Sequence, residues 1–362
     1  MTITNSEDTV PDSARGLDAW RYILTDDAPV AVKSVANNTE NWESLRTFFM
    51  RNGYTLYSPF KNTMWQTPPP VTHSIPNDKA HSYPYARWFI KDNSELFFEG
   101  YTPFVRAARD TKGREVVIKL ISDGRASPEL EILKFLNTEK AREDPRNHTI
   151  PVIEFLTLEN LTFVVMPRWG DLCLAGFETV HEVLHFAKIF LEAFVFLHEN
   201  RIAHLDFLEQ NAAIDALYPS RPRRDIEGLR DPSSARYCVM DFDYSSRYSA
   251  DMSLDDVRET KPVDRLGNSP EPYNPFAVDF YACASRLQRW TRHIENVVPE
   301  LGSFFEKVMQ VDLKRGTQAS EALQSFMELY NKVPESVLSQ KIDTFLWAKG
   351  AARRKPWLQD SA

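Results

Sequence analysis

The spacing of apolar residues changes character along the chain. From Leu96 it is strand-like: Leu96-Phe97-Phe98, then Phe104 to Ala108, then Glu115 to Ile121, with Asp110-Thr111-Lys112-Gly113 as the turn between the last two. Ser127-Pro128-Glu129 predicts a helix start, with the serine as cap and the proline in the first turn, and Leu130, Leu133 and Leu136 supply its apolar face. Pro151 to Phe155 and Leu161 to Met166 read as two further strands. The pattern predicts a small antiparallel sheet with one helix against it.

Beyond these strands the period becomes helical. Val183 to Leu197 is apolar around most of its circumference, which predicts a buried helix. A loop containing His204 follows, then a short strand at Ala212 to Asp215, a polar, turn-rich insertion from Arg221 to Ser234 expected on the surface, and a strand at Tyr237 to Met240. Later helices are expected over Val278 to Trp290 and Ala319 to Leu329. Ahead of the sheet, residues 1–30 are polar and expected to be mobile apart from a short helix near Trp20 and Leu24. Asn41 to Met50 has helical spacing, and Pro68-Pro69-Pro70 interrupts regular structure, so residues 31–94 read as an extension packed on the rest. The basic cluster Arg353-Arg354-Lys355 reads as a solvated tail.

Composition narrows the class. With 43% apolar and 26% charged residues over 362 positions, the chain is of globular type and large enough for a two-lobed core. Its net charge of −8 argues against a general nucleic-acid footprint. Cys173, Cys238 and Cys283 are far apart and lack metal or disulfide spacing, so they read as reduced core thiols of an intracellular protein. No signal peptide is expected from Met1 to Asp8, and no run approaches the ~20 apolar residues of a membrane span, so no membrane partner is expected. The expected location is cytoplasmic or nuclear.

The candidate chemistry lies at His204-Leu205-Asp206-Phe207-Leu208-Glu209-Gln210-Asn211 and at Val239-Met240-Asp241-Phe242-Asp243. An aspartate, an asparagine five positions later and a second aspartate at a strand end can hold a phosphate-bridged metal and an incoming hydroxyl. Upstream, Val116-Val117-Ile118-Lys119 ends a strand on a lysine, and Glu129 lies on the next helix. Downstream come Ser269-Pro270-Glu271-Pro272, Val278-Asp279-Phe280 and Asp312 to Thr317. In this order the parts resemble the eukaryotic protein-kinase family over roughly residues 95–330.

That resemblance implies an α+β, two-lobed protein-kinase-like fold: an N-lobe with a small antiparallel β-sheet and one helix over 95–168, and a mainly α-helical C-lobe over 169–332, with residues 333–362 as a tail. It implies ATP and Mg2+ (or Mn2+) as cofactors and a protein hydroxyl as acceptor. Lys119, paired with Glu129, would grip the nucleotide phosphates. Gly100, Val105, Val117 and Met166 would border the nucleotide, with Pro167-Arg168-Trp169 beside the adenine. Asn211 and Asp241 would hold the metal, and Asp206 would orient the acceptor. Asp279 would brace the loop of Asp206, and Glu271 and Arg315 would form a buried ion pair.

The sequence departs from the family pattern in places. Phe98, Gly100 and Pro103 fall on the three glycine positions of the phosphate loop, so one glycine remains, and Pro103 lacks an N–H. Leu205 and Leu208 stand where an arginine and a lysine are common, and Asp243 replaces the glycine of D-F-G. These departures motivate two alternatives. One is a pseudokinase that binds partners without turnover. The other is a small-molecule kinase of the same fold, whose D-x-D pattern Asp241-Phe242-Asp243 resembles.

Overall fold

The computed structural model describes residues 9–23, 28–60, 63–70, 83–90, 93–100, 102–172, 176–219, 226–262, 272–310, 312, 315–343 and 345–354. The fold is mixed α+β and divides into two units. The first takes its residues from Met1–Glu131, Ile150–Gly170 and Asp215–Ser220, and the second from Ile132–Thr149, Asp171–Ile214 and Arg221–Ala362.

In the first unit, helices α1 (Ala28–Ser44) and α2 (Arg46–Arg51) lead through Gly53, at φ +90°, into strand β1 (Tyr54–Leu56). Strands β2 (Val105–Asp110) and β3 (Glu115–Ser122) form the expected hairpin, with Gly113 at φ +78° in its turn. Helix α3 (Pro128–Leu136) follows; the Ser127 hydroxyl accepts the Leu130 N–H at 3.2 Å, as its sequence position predicts. Strands β4 (Glu154–Leu158) and β5 (Leu161–Pro167) complete an antiparallel sheet of order β1-β2-β3-β5-β4.

Strand alternation sorts this sheet into two faces. Ala108, Val116, Ile118, Leu120, Phe163 and Val165 are buried against the helical layer, where Trp20, Trp42, Phe48 and Phe49 complete the core. Val105, Val117, Lys119 and Met166 share the opposite face, because Val105 pairs with Lys119 and Val117 with Met166 in register.

Within the N-terminal segment expected to be mobile, residues 9–23 are packed: Val10, Ala14 and Trp20 are buried, the Trp20 and Trp42 rings are 5.2 Å apart, and the Trp20 Nε1–H bonds the Ala14 carbonyl. A few apolar anchors suffice to fix a polar segment when a large aromatic supplies most of the buried area. Leu24, the second residue of the expected helix, lies outside the described residues, and Trp20 ends a 3-10 turn, Leu17–Trp20.

The main sheet begins at Tyr54, within the segment read from the sequence as an extension. Parts of the chain between β1 and β2 form a smaller three-stranded sheet of Ser58–Pro59, Trp65–Thr67 and Phe98–Glu99; of the expected run Leu96-Phe97-Phe98, Phe98 is in the last of these strands and Leu96 ends a 3-10 turn, Asn93–Leu96. Arg87–Trp88 pairs in parallel with Ala216–Leu217, and Arg87 is clamped to Asp215 at 2.9 Å.

In the second unit, helix α4 (Val180–Glu199) is buried on nearly all sides, and Thr179 caps it by accepting the Glu182 N–H. Strands β6 (Ala212–Ile214) and β7 (Tyr237–Val239) pair antiparallel. Helix α5 (Pro275–Thr291) starts at Asn274, whose side chain accepts the N–H groups of Phe276 and Ala277. Helices α6 (Glu300–Val308) and α7 (Ala319–Tyr330) follow, and α4 packs on α5 and α7.

The segment expected as a tail contains a hairpin, β8 (Phe345–Ala348) and β9 (Ala351–Arg354), turning at Lys349 and Gly350, both at positive φ. Leu346 is buried, and the Arg292 guanidinium lies 4.7 Å over the Trp347 ring. No helix among the described residues is long and apolar enough to cross a membrane.

Candidate functional site

Two constellations contain the residues singled out in the sequence, one in each unit. In the first, Lys119 projects from β3 and Glu129 from the first turn of α3. Their Nζ and Oε1 are 2.6 Å apart, and both side chains are 7% exposed. A buried charge needs a partner of opposite sign, and the short connection between β3 and α3 brings these two together. On the same sheet face Val105, Val117 and Met166 are half-buried, an apolar surface beside a paired cation.

Gly100 belongs to different surroundings. A side chain there would meet Gln66 Nε2 at 2.7 Å, while Gln66 Oε1 accepts the buried Ala107 N–H at 2.9 Å. The space at this glycine serves packing of the smaller sheet, and Phe98 is a strand residue in that sheet. The turn that a glycine-rich loop would form between the first two strands is replaced by residues 57–104.

A polar network that sequence reasoning missed ties this segment down. The Tyr57 hydroxyl donates to Glu115 Oε2 at 2.6 Å, and Arg109 Nε donates to Glu115 Oε1 at 2.6 Å. Arg168, expected beside an adenine, instead donates to the Tyr57 hydroxyl at 3.0 Å and to the carbonyls of Leu96 and Phe97 at 2.9 and 2.7 Å. Burial of Tyr57 beside the Glu115 carboxylate holds its phenol well above the ordinary range. Arg109 and Glu115 face each other across the hairpin, a pairing that the placed turn could have signalled; the roles of Tyr57 and Arg168 leave no local signal.

The second constellation is built around Asp279 on α5, which is fully buried. Its carboxylate accepts the backbone N–H of His204 at 2.8 Å and of Leu205 at 2.7 Å, and lies 3.0 Å from His198 Nε2. The His204 ring accepts the Asp206 N–H on Nδ1 at 3.3 Å. That leaves Nε2 as the protonated nitrogen, donating to the Met240 carbonyl at 3.0 Å. His204 thus ties the loop before β6 to the end of β7.

Within that loop, Asn211 Nδ2 donates to the Asp206 carbonyl at 2.8 Å and to Asp206 Oδ2 at 3.1 Å. The Met240 N–H bonds the Asn211 carbonyl at 2.9 Å, so Asn211 and Asp241 stand at adjacent ends of paired strands. With Nδ2 directed at Asp206, the Asn211 amide oxygen is the atom that could ligate a cation. Amide and carboxylate oxygens are the donor set of a hard cation such as Mg2+.

Leu205 and Asp241 both have left-handed backbones, at φ +64° and +65°. Residues without this freedom persist there only where surroundings over-determine them. Phe242 packs on His204, with ring centroids 5.1 Å apart, and Phe207 on Phe194 at 5.0 Å.

Glu271, Cys173 and the Arg221-to-Asp225 run lie outside the described residues, and Arg315, expected in a buried ion pair with Glu271, is exposed. Glu209, not singled out from sequence, receives Trp290 Nε1 at 3.1 Å and Arg289 Nε at 3.3 Å from α5. The sequence matches no known family profile, and no curated protein matches it.

Proposed function

We propose that the chain is an ATP-dependent phosphotransferase of a divergent, two-lobed protein-kinase-like fold, transferring the γ-phosphate of ATP to a protein hydroxyl. The observation that carries this reading is the buried Asp279 carboxylate on the backbone of His204 and Leu205, which with Asn211 fixes Asp206 on a braced loop. A carboxylate so held is suited to orient a hydroxyl and take up its proton. Asn211 and Asp241 would hold Mg2+ or Mn2+, which when bound neutralises phosphate charge. Lys119, fixed by Glu129, supplies a cation for the nucleotide phosphates, and Val105, Val117 and Met166 an apolar surface for the base.

One observation favours a second reading, a pseudokinase that binds without turnover. The glycine-loop position is occupied by a packed segment in which Gly100 is covered by Gln66. The small-molecule kinase reading rests on Asp243 alone, an exposed residue.

Incorporation of radiolabel from γ-labelled ATP with Mg2+ or Mn2+, in wild type, Asp206→Ala and Asp241→Ala, tests the proposal. Transfer in the wild type and its loss in both variants is expected. Equal incorporation in all three would remove the enzyme reading, and tight ATP binding with no transfer would select the pseudokinase. Choline, sugars and aminoglycosides as acceptors in the same assay address the small-molecule reading.

A further inference from the structure

The loop that carries Asp206 has no cation of its own, since Phe207, Leu208, Glu209 and Gln210 separate Asp206 from Asn211. It carries an anion, Glu209, and that anion gathers positive charge from α5. Arg289 Nε lies 3.3 Å and Arg286 Nη1 4.0 Å from Glu209 Oε1, and Trp290 Nε1 donates to the same oxygen. Arg286 and Arg289 are one helical turn apart and so share a face of α5.

Two guanidinium groups facing one carboxylate leave a local excess of one positive charge, in a protein whose net charge is −8. Arg286 is also incompletely satisfied. Its Nε is buried without a hydrogen-bond partner, and its contact with Glu209 is too long for a hydrogen bond. The Arg289 side chain is 41% exposed and open to an incoming group. The planar forks of two neighbouring guanidinium groups, partly exposed at Arg286 and more so at Arg289, are the arrangement that recognises carboxylates.

Resting on the phosphotransferase reading, we infer that Arg286 and Arg289 form a specificity site for an acidic acceptor peptide, one with Asp or Glu flanking the hydroxyl presented to Asp206. Glu209 is the positioning residue: it holds the two arginines against the loop and, by sharing its charge between them, leaves capacity for a second carboxylate.

The test uses the full chain and fluorescent Ser/Thr/Tyr-containing peptides in three versions, with acidic flanks, with the same flanks as Gln and Asn, and with basic flanks. Binding by anisotropy and label transfer from ATP are both read. The wild type is expected to bind the acidic version about tenfold more tightly than the neutral one at low salt, a preference that falls as salt rises. Arg286→Gln/Arg289→Gln should bring that ratio close to one, with ATP affinity and thermal midpoint unchanged. Arg289→Glu should shift preference toward the basic version.

Equal binding of acidic and neutral peptides by the wild type, or an acidic preference retained in the double variant, overturns the inference. The two readings fail separately. Acidic preference in binding with no transfer to any peptide removes the enzyme reading and leaves this site standing. Transfer without acidic preference does the reverse.

Discussion

Asp279 holds Leu205 in a left-handed backbone conformation: the Leu205 N–H donates to Asp279 Oδ1 at 2.7 Å while Leu205 sits at φ +64°. A leucine gains nothing by itself from this conformation, which is uphill for any residue with a Cβ. The buried carboxylate makes it the favoured state by accepting two successive N–H groups and a histidine.

Replacing Asp279 by alanine leaves those donors buried without an acceptor. Asp279→Ala is expected to lower unfolding stability by about 3–5 kcal/mol, and urea denaturation measures it. A loss under about 1 kcal/mol would mean that the loop is held by other contacts.

Lys119 and Glu129 are each other's partner in a buried setting. Lys119→Met and Glu129→Leu alone should each cost about 3–5 kcal/mol, because each breaks a buried ion pair whose groups lie 2.6 Å apart. The double variant is expected to recover much of this, so a double-mutant cycle should give a large coupling energy; additive losses would contradict the pairing. ATP affinity, by calorimetry, should fall in every variant that lacks Lys119.

Most strands of the main sheet, and helices α3, α4, α5 and α7, were legible because each has a clean period and a recognisable start, such as Ser127 for α3. The loop of Asp206 stood out for another reason: its polar residues recur at a fixed spacing, and the structure ties them together through Asn211 and Asp279. Strand β1 was missed because three residues, Tyr54–Leu56, carry too little pattern, and their partner lies beyond a long intervening segment. Glu209 and Arg168 were missed because their partners, on α5 and at Tyr57, Leu96 and Phe97, are distant in sequence and set by the tertiary fold.

Trp20 illustrates the same limit in the polar N-terminal segment. Trp20→Ala should destabilise the protein by about 3–5 kcal/mol, as for other large core truncations. Thermal melting and tryptophan fluorescence can follow it; an unchanged midpoint would show that residues 9–23 do not contribute to the core.

His185 on α4 introduces a pH dependence. Burial, reinforced by the nearby Lys188 cation, pushes its imidazole down to about 4 from 6.5, and its Nε2 is buried without a partner. The unfolded chain protonates first, so the contribution of this residue is fully present above pH 6.5 and declines as pH falls toward 4. His185→Gln is expected to flatten the stability profile within that window, as read from denaturation midpoints between pH 4 and pH 7; an identical slope would rule out His185 as the source.

The pairing of Tyr54–Leu56 with Ala108–Asp110 closes the main sheet around residues 57–104. Loop-closure entropy grows only with the logarithm of length, so such an inserted segment weighs little on equilibrium stability. Its effect falls on kinetics. The local β2–β3 hairpin can zip early, whereas β1 must find its place by a search over a long closed loop, which makes the β1 edge a late event in folding and a high-contact-order element of the mature sheet.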